Sequence, residues 1–155
     1  MTSPAITPHR LSEPFEALRD ASDVFLKQIG ARPKIFLANL GPIAAFTARA
    51  NFSKNFFEAG GIEAIFGPET DKNDDIIESF RKSGAKLACL CSSDRLYGEK
   101  GEQLAKELKQ ACAKLYLAGR PGELEQKMRQ SGIERFIYVG CDMYEILRDA
   151  FDEAK

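Results

Sequence analysis

Two rhythms alternate along this chain. Short runs of almost continuous apolar residues occur at Lys34–Ala38, Ile62–Phe66, Lys86–Cys91, Lys114–Ala118 and Arg135–Val139, each of strand length. Between them the apolar positions spread to helical spacing. Ala45, Ala48, Phe52, Phe56 and Ala59 form one stripe, closed by Gly60 and Gly61. Asp71 to Lys82 predicts a second helix ending before Gly84, and Leu104, Leu108 and Ala111 mark a third. Pro121 is expected to open a short helix carrying Leu124 and Met128, with Gly132 as its stop. Met143, Leu147 and Ala150 line the last helix, with Asp142 and Glu145 at capping-box spacing before it. Ahead of all this, Phe15, Leu18, Phe25 and Ile29 fall on one helical face between a Ser12 cap and a Gly30 stop.

The pattern therefore predicts a helix followed by five βα units. Strands without polar alternation are expected where helices cover both sheet faces. Right-handed crossovers then yield a doubly wound parallel sheet, and five strands suggest the flavodoxin-like order 2-1-3-4-5. The organisation expected is a disordered leader over residues 1–11, a helix over 12–30, and one domain over 31–155.

Composition narrows the partners. The 155 residues include 22 Lys plus Arg against 23 Asp plus Glu, so bulk charge recruits neither nucleic acid nor a membrane surface. No apolar run reaches the ~20 residues of a spanning helix. Met1–Arg10 has no apolar core of a secretory signal, so a reducing, cytoplasmic setting is expected for Cys89, Cys91, Cys112 and Cys141.

In this topology ligands bind beyond the carboxyl ends of the strands, where the strand order reverses. The first loop there, Asn39 to Thr47, offers no general acid, base or metal ligand. It has neither the hydroxyls of a flavin-phosphate loop nor the carboxylates of a phosphoacceptor, and the chain contains no glycine-rich nucleotide fingerprint. The loop after the third strand, Ser92 to Gly98, is more polar. It reads as a solvated loop with Ser or Asp capping the next helix, or as a hydrogen-bonding rim from Ser92 to Tyr97 for a ligand or a partner. Cys89 and Arg95 have the spacing of cysteine-dependent phosphatases, but Cys89 falls inside an apolar strand and Leu90–Asp94 lacks glycine. Cys91 and Cys141 belong to strands two apart, about 9–10 Å at ~4.8 Å per strand, too far for a shared metal. His9 falls in the expected leader, and Arg120 reads as a surface arginine. No catalytic or metal-ligating residue is expected.

Five segments together resemble the small subunit of methylmalonyl-CoA mutase: Phe15–Ser22, Ala31–Pro42, Ala88–Asp94, Tyr116–Glu125 and Phe136–Asp142. The resemblance runs from about residue 12 to 152. It implies a cobalamin-binding-domain type of fold. In cobalamin-binding relatives the first loop carries D-x-H-x-x-G, whose histidine ligates cobalt. An S-x-L motif follows the third strand and a Gly-Gly pair the fourth. Here Ile43, Ala45 and Ala48 stand at the Asp, His and Gly positions. Ser92 matches S-x-L but Asp94 replaces its Leu; Gly119 matches the first glycine and Arg120 replaces the second. Phe46 fills space that the cofactor's tail would need.

The resemblance thus implies a degenerate site with no cofactor of its own and a non-catalytic role; the alternative is a small-molecule binding domain, for cobalamin or a nucleotide, that uses the Ser92–Tyr97 rim. It further implies a heterodimer whose large subunit carries adenosylcobalamin and interconverts methylmalonyl-CoA and succinyl-CoA. The full small subunit also has a barrel-like N-terminal region, which 155 residues cannot contain. The expectation is therefore an excised or separately encoded C-terminal domain.

Overall fold

A computed structural model describes residues 8–70, 72–112 and 114–154. Five strands, β1 (Lys34–Asn39), β2 (Glu63–Phe66), β3 (Leu87–Cys91), β4 (Lys114–Ala118) and β5 (Ile133–Ile137), form one sheet in the order β2-β1-β3-β4-β5. Every pairing is parallel. This is the flavodoxin-like order that the βα alternation predicts.

The helices are α1 (Pro8–Ile29), α2 (Ile43–Glu58), α3 (Asn73–Ser83), α4 (Asp94–Leu96), α5 (Glu102–Lys109), α6 (Glu125–Gln130) and α7 (Met143–Ala154). Alternation of side chains along the buried strands splits the core into two layers. Ile35, Leu37, Cys89 and Tyr116 face α2 and α7 with Phe57 and Leu147. Phe36, Ala88, Leu90 and Leu117 face α3, α5 and α6 with Phe80, Leu108 and Met128. Each such fully buried large side chain contributes roughly 1.5–3 kcal/mol relative to exposure.

Local signals hold at several joints. Gly84 closes α3 in the left-handed region at φ +77°. The Asp142 carboxylate accepts the Glu145 backbone N–H at 3.2 Å and so starts α7.

Four expectations are corrected. First, α1 starts at Pro8 rather than Ser12, with Pro14 inside it; residues 1–7 of the expected leader lie outside the described residues. The apolar face expected on α1 is only partly used. Leu18 is buried, while Ile29 is 65% exposed. The helix instead presses Ser22 against the turn after α2, where the Ser22 hydroxyl donates to the Gly61 carbonyl at 2.6 Å. Second, β5 begins two residues earlier than expected, directly after Gly132, so Tyr138 and Val139 leave the strand and Val139 is 73% exposed. Third, α6 begins at Glu125, not Pro121. Fourth, most of the loop expected at Ser92–Gly98 is helical: α4 runs through a π-helical turn, Tyr97–Gly101, into α5.

No helix among the described residues is long and apolar enough to cross a membrane.

Candidate functional site

The reversal of strand order lies between β1 and β3, so the crevice beyond Asn39 and Cys91 is where the topology would hold a ligand. The protein's own side chains fill it. Gly41, at φ +90°, lies so close to Leu96 that a Cβ there would come within 2.4 Å of the Leu96 Cδ1. Only glycine tolerates both that backbone and that neighbour.

Ser92 is fully buried, and its hydroxyl donates to the Leu40 carbonyl at 2.6 Å, tying the β3 end to the β1 end. The Tyr97 hydroxyl accepts the Ser92 N–H at 2.9 Å. It directs its own proton to the Ala118 carbonyl at 2.7 Å, with the Leu90 carbonyl 3.1 Å away. Burial pushes the Tyr97 phenol well above its ordinary range, so it acts as a fixed neutral hydrogen-bonding group. Arg49 of α2 closes the remaining side. Its Nη1 donates to the Ser92 carbonyl at 2.9 Å and to the Asp94 carboxylate at 2.8 Å, with the guanidinium 5.6 Å from the Tyr97 ring centre. Ser93 accepts the Leu96 N–H at 3.3 Å and caps α4.

Of the two readings of Ser92–Gly98, the capping one holds at Ser93, while both ends of the alternative rim turn inward. Ser92 and Tyr97 spend their polar atoms inside the fold. Asp94 is held by Arg49, and Arg95 reaches Glu99 at 2.8 Å. No local sequence pattern marks Arg49, because its partners lie 43 and 45 residues away.

The other expected positions fall as follows. Ile43 opens α2 and is 53% exposed; Ala45 is half-buried and Ala48 exposed. A cobalt centre ligated from this loop needs a nitrogen donor in it and open space above Gly41. The methyl of Ala45 offers no donor and Leu96 occupies the space, so these residues do not fit such a centre. Phe46 is 7% exposed and belongs to the core on the α2 side of the sheet. Gly119 sits under Arg49, whose Nη1 would be 3.3 Å from a Cβ there. Arg120 donates to the Val139 carbonyl at 3.0 Å and lies 5.0 Å from the Tyr138 ring centre, so it braces the β4 and β5 loops.

Among the described residues no group of three or more His, Cys, Asp or Glu is placed to hold a metal ion. Cys89 is fully buried, and burial together with Cys91 pushes its thiol well up, away from the thiolate a phosphatase needs. At the end of β1, Asn39 is 1% exposed and its Oδ1 has no protein partner.

Open space lies elsewhere. A cleft of about 630 Å³ opens at the carboxyl end of β4, between the π-turn and α6. A groove of about 350 Å³ separates Phe52 and Phe56 from the loop after β5. A third, of about 750 Å³, is at the opposite edge of the sheet, between α1 and the starts of β1 and β2.

No family model matches the chain. It is similar to the methylmalonyl-CoA mutase small subunit of Streptomyces virginiae, 45% identical over 144 residues, covering 92% of this chain and 22% of that protein. The small subunit of Propionibacterium freudenreichii subsp. shermanii is 38% identical over 149 residues, 93% of this chain and 22% of that protein. That of Porphyromonas gingivalis is 31% identical over 142 residues, 90% of this chain and 21% of that protein. The chain therefore spans about a fifth of the length of the curated relatives it matches.

Proposed function

This chain is a homologue of a segment of the methylmalonyl-CoA mutase small subunits, and from that premise we propose that it is a non-catalytic supporting domain of a mutase complex. In this reading it corresponds to the cobalamin-domain-like part of the small subunit. Its partner is a large subunit that binds adenosylcobalamin and interconverts methylmalonyl-CoA and succinyl-CoA.

The observation that supports the reading is the filled crevice. A domain that held a corrin would keep donors and space beyond β1 and β3. Here Leu96 sits against Gly41, and the hydroxyls of Ser92 and Tyr97 are committed to backbone groups. Such a domain can still present a rigid surface, because the bonds that open loops would reserve for a ligand here join β1, β3, β4 and α2 to one another.

Titration of the pure chain with adenosylcobalamin, followed by absorbance, tests the first half. The expected outcome is an unchanged cofactor spectrum; saturable binding with displacement of the lower axial base would sink the reading. Co-purification with a mutase large subunit tests the second half, and its failure with the intact chain would remove the supporting role.

A further inference from the structure

The exterior of α2 differs from the other helix surfaces in charge. Ala44, Thr47, Ala48, Asn51 and Asn55 are its exposed positions on one side, and none carries a charge. The charged residues of α2 are all paired, Arg49 with Asp94 and Lys54 with Glu58. On α3, by contrast, Asp74, Asp75, Glu78, Arg81 and Lys82 are all exposed. The uncharged face continues across the groove beside α2. Phe52, Asn55 and Phe56 line that groove on one side, Tyr138, Val139 and Met143 on the other, and no Asp, Glu, Lys or Arg lines it. Val139 is 73% exposed there. Asp142, at the edge of the loop, is turned to cap α7. Depletion of charge over a continuous face is what distinguishes the centre of a protein interface from ordinary surface.

Charge and shape both select a second copy of the chain as the occupant. A twofold axis sets a face against itself, so any unpaired charge meets its own sign. This face has none to meet. Ala44, Ala48 and Phe52 form one ridge at intervals of four residues, and such ridges interdigitate at a crossing angle of about −50°. With the axis at Ala48, an antiparallel copy sets Phe52 against Ala44 of the second copy, large on small at both ends. A parallel pair would set Phe52 against Phe52. The 16 residues of α2 make a helix about 24 Å long, and helix plus groove wall are roughly 20 Å wide, so each copy contributes roughly 500 Å². The total, roughly 1,000 Å², is at the lower bound for a specific interface, which makes the pair weak and concentration-dependent.

We propose that the chain forms a symmetric dimer through antiparallel packing of α2 on α2, centred on Ala48. The surface is separate from the filled crevice, and the proposal does not rest on the supporting role in a mutase complex.

Sedimentation velocity of the whole chain between about 5 and 500 µM tests it. The native chain is expected to pass from monomer to dimer with a midpoint of about 10–100 µM. Ala48→Arg is expected to weaken the dimer at least ten-fold, because the two new charges meet at the axis; position 48 is exposed, and an unchanged urea midpoint checks that the variant folds. Ala48→Glu should do the same alone, and an equimolar mixture of the two variants should associate again. Arg81→Glu, on the charged exterior of α3, should dimerise like the native chain. A native chain that stays monomeric to 500 µM, as it would if the face served only a different polypeptide, overturns the proposal. So does an Ala48→Arg chain that dimerises like the native one, or a mixture of the two charged variants that stays monomeric.

Discussion

Two openings at the same edge of one sheet have opposite fates. Beyond β1 and β3 the topological crevice is closed, while beside β4 a cleft stays open. Three consecutive residues divide them. Leu96 fills the crevice against Gly41, Tyr97 locks its walls with one hydroxyl and floors the cleft with its ring, and Gly98 leaves the cleft empty of side chain. The fold supplies places where a ligand can sit; the side-chain volume at single positions decides which of them remains a place. The π-turn beginning at Tyr97 makes this division possible, since a wider turn carries these neighbours to different walls.

Tyr97 serves both openings, so its removal should have the largest effect. Tyr97→Ala is expected to cost about 3–5 kcal/mol, as for other large buried aromatics, read as the shift in a urea unfolding curve. Tyr97→Phe keeps the floor of the cleft and removes only the lock, and should cost about 1–3 kcal/mol through the unsatisfied Ser92 N–H. Equal losses in the two variants would mean that the ring contributes nothing beyond the hydroxyl.

Gly41→Ala separates the two openings. The left-handed backbone at φ +90° makes the alanine cost about 1–2 kcal/mol, and the Leu96 tip must swing aside. The loss is read as the shift of a urea unfolding curve, and a Gly41→Ala variant as stable as the native chain would show that neither the backbone nor the Leu96 contact constrains this position. The smallest effect is expected from Arg49→Ala. Its ion pair with Asp94 is one-third and three-quarters exposed on its two sides, so thermal unfolding should register only about 0.5–1 kcal/mol, decreasing with salt.

Much of the fold is legible in the amino-acid sequence. The apolar runs at Lys34–Ala38 and Lys114–Ala118 mark β1 and β4 almost to the residue, because a strand buried on both faces must be apolar throughout. Where the run is mixed, at Phe136–Val139, the boundary slips, since the strand starts directly after Gly132 and Val139 turns outward. Helix α1 also misleads: Phe15, Leu18, Phe25 and Ile29 have the right spacing, but the helix packs with Phe15 against Tyr144 of α7 and with Ser22 against the turn after α2, and Ile29 faces solvent.

The candidate site divides in the same way. That Ile43, Ala45 and Ala48 carry no donor is a property of residue type, and the sequence alone determined it, along with the strand order and the likeness to mutase small subunits. Whether polar residues near the site are free to act was decided only by tertiary structure. Ser92 has the character of a rim residue, yet its hydroxyl is taken by the Leu40 carbonyl, 52 positions away. Arg49 has the character of any helix-surface arginine, yet folding lays it across Ser92 and Asp94. Periodicity reports a residue's own element, because backbone geometry repeats over a few residues. A hydrogen bond between elements is set by how whole layers pack, and no local pattern carries that information.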